Sequence, residues 1–466
     1  MPQHFLPCNR DQLYLLPPSL LDWVKEDSLA LFLLDVVEEF DLSAFYQSYR
    51  EDGMGRAAFQ PSMMVALLLY AYCVGERSSR RIEQLCGESL SFRVITANQQ
   101  PDHSTIARFR REHTARLDSL FERSLQLCAK AGLVKLGVVA LDGTKLQGNT
   151  SISANRTKDG VEREIRQWIA RQAHRMLAEA ETKDQEEDAL YGPDKRGDEL
   201  PADLQQRSSR LARLRQCKVQ LEEEAARQAA AQQQRLDRRA ALEEAGGRKL
   251  GGRKPKTVEE AVKQDAQANP TDPDSRLLKI RLGYLQGYNA QVIVNQGQVI
   301  LAAHLTQERN DWHQLPLMVR KAEENLCAAR ITRPIGTILA DAGYLIPEPG
   351  ELERAGCHSS PHLLIATKKD WEQRKACQEM PPPRGRIPKD FTPRQRMERK
   401  LRTKEGKRLY RSRSQMVEPV FGQIKGARHF DRLLLRGYRY ASGEWQLICA
   451  THNLLKCWRS GKIVKH

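Results

Sequence analysis

The stretch "GVVALDGTKLQGN", residues 137–149, decides how the rest of the chain is read. Val138, Val139, Ala140 and Leu141 form an unbroken apolar run, the pattern of a strand buried on both faces. The run meets Asp142, then Gly143 and polar residues. Asp-Gly after a strand most often marks only a turn. A second stretch repeats the arrangement, however: "IGTILADAGYL" (335–345) is an apolar strand followed by Asp341 and a glycine-containing turn. In sheets with parallel central strands, polar functional groups gather where the strands end. If these two strands are neighbours, the two carboxylates lie close together and repel unless they share a cation. Oxygen ligands favour a hard divalent ion, Mg2+ or Mn2+, over zinc.

A third carboxylate would complete such a site. "SQMVEPVFGQIKGARHF" (414–430) reads as a helix carrying Glu418. Pro419 lacks an N–H and suits a first turn, which predicts Glu418 near the helix start. Lys425 follows seven residues later, two turns on along the same face, where it can contact a phosphate. Asp311 is a fourth acid in the region, and its place before "WHQLPLM" is accounted for by helix capping. Three carboxylates holding two divalent ions suit phosphodiester cleavage or transfer.

Composition points the same way. With 75 Lys and Arg against 59 Asp and Glu, the chain of 466 residues carries a formal net charge of +16. A polyanion, usually nucleic acid, is the first partner such an excess suggests. The longest apolar run, "MMVALLLYAYCV" (63–74), is too short to span a membrane and reads as a buried helix, so no membrane partner is expected. The ten cysteines contain no CxxC pair, which suggests reduced thiols in a cytoplasm. Cys449, His452 and Cys457 lie in a helical pattern with Trp445, Ile448, Leu454 and Leu455. Three ligands are one short of a structural zinc site, and core packing is the better account. An aromatic content of 6% leaves no sign of the stacking surfaces an RNA-cutting enzyme would use.

Along the chain, residues 1–130 read as helical. Pro61 opens a helix stopped by Gly75, Ser78 or Ser79 caps "RRIEQLCGES", and Asp102 caps one long helix over 103–132 carrying Arg108, Arg110 and Arg111. These short helices followed by a basic, capped one resemble a helix-turn-helix-like DNA-binding head. Residues 133–147 form a strand and, with their continuation to 157, the first part of a catalytic core. The span 158–270 reads as an inserted helical hairpin, "VEREIRQWIARQAHRMLAEAE" and residues 204–245, closed by the basic "GGRKLGGRKPK" (246–256). Residues 271–466 supply the remainder of the core. There "YNAQVIVNQGQVILAAHL" (288–305) forms a hairpin about Gln296-Gly297, a helix runs from Asp311 to about 330, and "HLLIATKK" (362–369) is a further strand. Residues 368–413 read as a basic loop.

At these residues the sequence resembles a bacterial DDE-type insertion-sequence transposase, most closely the group named after insertion sequence eleven-eighty-two, related to the wider insertion-sequence four/five transposases. The similar segments are "FQPSMMVALLLYAYCVGERSSRRIEQLC", "PDHSTIARFRREH", "LDGTKLQGNTS", "LYGPDKRGDELPADL", "NPTDPDSRLLK", "GYNAQVIV", "LADAGY" and "VEPVFGQIKGARHF". The resemblance implies an α/β fold with a ribonuclease H-like mixed five-stranded sheet and flanking helices, interrupted by the helical insertion and preceded by the all-α domain. It implies that Asp142, Asp341 and Glu418 are the catalytic, metal-binding triad for two Mg2+ ions, with Mn2+ as substitute, and that Lys425 is the family's lysine after the glutamate. Related families place a Tyr and an Arg seven and four residues before the glutamate. Here those positions hold Arg411 and Ser414, and Tyr410 and Arg413 each stand one residue early, as candidate DNA contacts. The implied activity is binding of terminal inverted repeats in double-stranded DNA, cleavage at the element ends and strand transfer to target DNA, in the bacterial cytoplasm at the nucleoid, by a homodimer or larger assembly. The rival readings are a metal-dependent nuclease without strand transfer and a catalytically inactive DNA-binding regulator.

Overall fold

Apolar runs at the two ends of the chain pack on each other and on a central sheet. The computed structural model describes residues 19–47, 49, 57–171, 210–246, 251, 255–261, 266–347, 351–358, 361–369 and 390–462, with scattered positions between 372 and 388. The "RGDELP" segment and most of the basic "GGRKLGGRKPK" lie outside the described residues.

The N-terminal helices are α1 (Leu29–Glu38), α2 (Ser43–Tyr46), α3 (Pro61–Cys73), α4 (Ser79–Glu88), α5 (Leu90–Ile95), α6 (His103–Glu112) and α7 (Thr114–Lys130). Pro61 begins α3, where its missing N–H costs nothing. The helix is buried almost all round, with Leu67, Leu68, Leu69, Ala71 and Tyr72 fully enclosed. It stops at Gly75, which has φ +85°. A side chain there would also press on the Arg428 carbonyl, 3.1 Å from the Cβ position. Ser78 and Asp102 cap α4 and α6 by accepting from Arg81 N and Thr105 N. The single helix expected over 103–132 is broken at His113. Its ring is buried against Phe109 and Phe45, at 4.3 and 5.2 Å between centroids, and the Thr114 hydroxyl donates to the Arg110 carbonyl. Side-chain demands there override a continuous helical pattern.

The central sheet contains β1 (Val138–Gln147), β4 (Arg276–Ile280), β5 (Gly283–Asn295), β6 (Ile300–Thr306), β7 (Thr337–Ala340) and β8 (His362–Ile365). β5 runs antiparallel to β1 on one edge and pairs with β4 and then β6 along its other edge. On the far side of β1, β7 and then β8 pair in parallel. The sheet is mixed and holds six strands rather than five, because β4 and β6 share one edge of β5 end to end. The short, charged "RLLKI" gave β4 no clear signal. β5 and β6 form the expected hairpin, turned through Gln298 at φ +63°.

The insertion leaves and rejoins this core at a two-residue ribbon, β2 (Arg156–Thr157) against β3 (Gln267–Ala268). A helix over 158–171 packs on α8 (Arg210–Gly246) through Val161, Ile165, Leu214, Cys217 and Leu221. Ion pairs Lys158–Glu222 and Lys218–Glu162 run along the seam at 3.0 Å each.

The segment expected as a basic loop folds in part into helices, α11 (Pro393–Arg402) and α12 (Lys404–Phe421); α9 (Val258–Ala261) and α10 (Gln314–Ala328) precede them. Thr392 and Gln395 form a capping box for α11, and Thr403 caps α12. The last helix, α13 (Tyr438–Ser460), lies against α7, α3 and β6 with Trp445 fully buried. Cys449, His452 and Cys457 are core residues: His452 Nε2 lies 2.9 Å from the Gln298 carbonyl, and Cys457 Sγ is 3.1 Å from Cys128 Sγ. One apolar core runs unbroken from Ala30 to Cys457, so packing does not pause at residue 130.

Candidate active site

Asp142 does not end its strand. β1 passes through Asp142 and Gly143 to Gln147, paired with β5 throughout. β7 is the strand that stops, at Ala340, one residue before Asp341. The parallel register sets Ala140 beside Leu339, and two further steps along each chain reach Asp142 and Asp341. The carboxylates therefore stand level, where the parallel pairing gives out.

Burial pushes the Asp142 carboxyl up to about 6; the neighbouring Arg413 works against that rise and the charge of Asp341 adds to it. Each aspartate accepts from a nearby glycine N–H at 2.8 Å, Asp142 from Gly143 and Asp341 from Gly343. The cation that meets Asp142 is Arg413, whose Nη1 donates to Oδ2 at 2.9 Å. This pair is well shielded, with side chains 8% and 21% exposed for Arg413 and Asp142. Arg413 also lies over the Tyr410 ring at 5.9 Å. Two residues along the same face of β1, Thr144 Oγ1 accepts from Lys425 Nζ at 2.9 Å, and the Lys145 carbonyl accepts from it at 2.8 Å. Burial lowers the Lys425 amine from its ordinary range.

Glu418 sits in the last turn of α12, not near its start, and is exposed. Pro419 is accommodated inside the helix because the carbonyl it strands, that of Gln415, accepts from Gln298 Nε2 at 3.3 Å. A π-helical turn over Gly422–Ala427 follows and carries Lys425. Among the described residues, no three His, Cys, Asp or Glu side chains are grouped to hold a metal ion. The structure thus sets Asp142 level with Asp341 and lays α12 over them, while Glu418 is not gathered into one ligand set.

The opposite face of β1 carries a second polar group. Gly143 pairs with Gln291, and a Cβ on Gly143 would meet Gln291 Nε2 at 2.2 Å and Asp311 Oδ1 at 3.0 Å. Asp311 does not cap α10. His313 holds that position without a side-chain bond, and Asp311 Oδ1 instead accepts from Gln291 Nε2 at 2.6 Å and Asn289 Nδ2 at 2.7 Å. Tyr344, three residues after Asp341, donates its hydroxyl to Gln291 Oε1. Asn289 and Gln291 were legible as alternating polar positions on one face of an otherwise apolar strand.

In the N-terminal helices, Arg108 and Arg111 are exposed. Arg110 is buried, donating to Tyr72 Oη at 3.2 Å and the Arg77 carbonyl at 2.8 Å. That burial is at odds with the expected DNA contact for Arg110, because its guanidinium is spent inside the fold.

Comparison with known families gives two matches. Residues 18–112 match a family described as transposase domain (DUF772), and residues 372–458 match one described as transposase DDE domain. No curated protein and no solved structure matches the chain.

Proposed function

We propose that the chain, which matches a transposase domain and a transposase DDE domain, is a DDE-type insertion-sequence transposase in which Asp142 and Asp341, joined by Glu418 from α12, form the catalytic site for cutting and joining DNA. The observation that carries this reading is the level placement of Asp142 and Asp341 where the parallel pairing of β1 and β7 gives out, with Arg413 and Lys425 beside Asp142 and its strand. We read the sheet as ribonuclease H-like, with the insertion entering at β2 and β3, and the group as that of insertion sequence eleven-eighty-two.

The site suits a hard divalent cation. Its donors are carboxylate oxygens, two of them repel, and a buried guanidinium already balances Asp142. Asp142, Asp341 and Glu418 would hold Mg2+ or Mn2+, which supplies activation of the attacking hydroxyl and stabilisation of the leaving oxygen. Glu418, exposed here, comes to the two aspartates when the substrate is seated. Arg413 then turns from Asp142 to a phosphate, a partner suited to its forked donors. Lys425, fastened to β1, lies next to the scissile phosphate. Arg108 and Arg111 contact the terminal repeat, mostly at phosphates, and Tyr410 packs beside the strand that Arg413 holds. Two element ends must be joined to target DNA, so the protein works as a dimer or larger assembly.

The products test the reading. Duplex carrying the element ends, incubated with a second duplex, should yield joined strands with Mg2+ or Mn2+ and none with EDTA. Cleaved ends without joined product would leave only a nuclease. No cleavage under any metal would leave a DNA-binding regulator.

A further inference from the structure

The insertion returns to the core beside a cavity of about 390 Å3 that four arginines line. They come from three stretches of chain: Arg156 on β2, Arg210 and Arg213 at the start of α8, and Arg436 just before α13. One acid, Glu164, shares the lining. Both of its oxygens are taken, Oε1 accepting from Arg156 Nε at 2.8 Å and Oε2 from Arg210 Nη2 at 3.2 Å. Arg213 Nε donates to the Pro270 carbonyl at 3.1 Å and Arg436 Nε to the Asn149 carbonyl at 2.9 Å. Among the described residues, no acid pairs with Arg436. Carbonyl bonds orient a guanidinium without neutralising it. Four positive charges against one negative favour an anion in the cavity. A phosphate suits it, because the fork of a guanidinium binds two phosphate oxygens at once. Arg210 and Arg436 are exposed, so a long polymer can reach them.

The place of the cavity selects the polymer. Cations from the C-terminal part of the chain are fastened in succession along β1 and its continuation: Arg413 at Asp142, Lys425 at Thr144 and Lys145, and Arg432 and Arg436 at Asn149. The cavity stands at the far end of that row, about 20 Å from the acids along an extended chain. A row of cations at such spacing matches a run of phosphates on one strand rather than a single free anion.

We propose that this cavity is a backbone clamp for duplex DNA, in which Arg210, Arg213 and Arg436 take a phosphate away from the cut, so that the insertion holds the DNA that the catalytic site works on. The proposal rests on the reading of the protein as a transposase, and it gives the start of α8 a binding role.

The test is the salt dependence of duplex binding by the full-length protein, read by fluorescence anisotropy with labelled duplexes of unrelated sequence. Each phosphate contact adds about 0.9 to the slope of log K against log salt. Arg210→Gln and Arg436→Gln should each weaken binding and make the slope shallower by about one, equally on every sequence. Arg436→Lys keeps the charge and should recover most of the slope, which a merely structural bond to Asn149 would not produce. Arg320→Gln and Arg354→Gln, which remove exposed charges elsewhere, should leave the slope as it is. If Arg210→Gln does not fold, Arg436→Gln on a separate element gives the answer. A wild-type slope in either folded clamp variant, or an equal loss in Arg320→Gln, overturns the clamp; joined strands from the wild-type protein then leave the transposase reading standing. Inorganic phosphate without DNA should not raise the melting temperature, and a rise that Arg436→Gln abolishes would assign the cavity to free phosphate and overturn the clamp. No duplex binding by the wild-type protein overturns both readings.

Discussion

As a proposed metal ligand, Asp142 stands enclosed beside another acid, and its protonation reports that conflict. Burial and Asp341 raise its carboxyl to about 6 in spite of Arg413. A raised carboxyl is protonated below that value, and a protonated carboxyl does not ligate. Mn2+ uptake should therefore fade as pH falls through about 6, rather than near the ordinary carboxylate value. Binding isotherms at pH 5, 6 and 7.5 check this; equal affinity at all three would contradict it. Residue-scale chemistry was partly legible. Asp142 and Asp341 stood out because each follows an apolar strand. Asp311 did not, since an acid ahead of a helix has a local explanation in capping, and only the folded chain shows its carboxylate turned to Gln291 and Asn289 instead. Arg110 looked like its exposed neighbours because burial of one position in a basic run depends on Tyr72 and Glu444, remote in sequence.

At the scale of elements, β1, which carries Asp142, pairs antiparallel with β5 from Val139 to Gln147. Both contain glycines that the other strand requires. A Cβ on Gly287 would meet the Leu146 carbonyl oxygen at 2.0 Å and the Gly148 nitrogen at 2.8 Å. A Cβ on Gly143 meets chiefly side chains. Gly143→Ala should thus cost about 1–3 kcal/mol, the usual range for overpacking. Gly287→Ala should cost more, because backbone cannot step aside; urea midpoints of the two variants give the order. Strands β1, β5, β6 and β7 were legible from unbroken or alternating apolar runs. Helices α11 and α12 were not, because Arg, Lys and Pro dominate the segment and its caps, Thr392 and Thr403, look like any loop threonine. Thr403→Ala should cost α12 about 1 kcal/mol, read as a lower melting temperature. No loss would show that packing alone holds the helix. Pro419 misled for a related reason: the nearest fit for a proline is the first turn, yet Gln298 satisfies the stranded carbonyl from another element.

Across the whole molecule, the N-terminal helices and the sheet share one core, and a buried charge sits at their joint. Glu444 is fully enclosed on α13 and accepts from Leu434 N and Leu435 N at 2.8 and 2.9 Å. Tyr72 of α3 donates to it at 3.5 Å, and Arg110 of α6 donates to Tyr72. Glu444→Ala would leave the Arg110 charge enclosed without its counterion, at a cost of about 3–5 kcal/mol. Unfolding followed at both ends of the molecule should then shift together. A shift confined to the N-terminal helices would show that the core is less continuous than its packing indicates. This union of chain ends was hidden in the sequence, where residues 1–130 read as a separate head, because contacts between segments hundreds of residues apart leave no periodicity to detect.

The central claim concerns three acids, and strand joining tests it most directly. Asp142→Asn, Asp341→Asn and Glu418→Gln, assayed with Mg2+ on duplex bearing the element ends, should each lose about a thousandfold or more of joined product while still binding that duplex. Full joining by Asp142→Asn or Asp341→Asn would contradict the account.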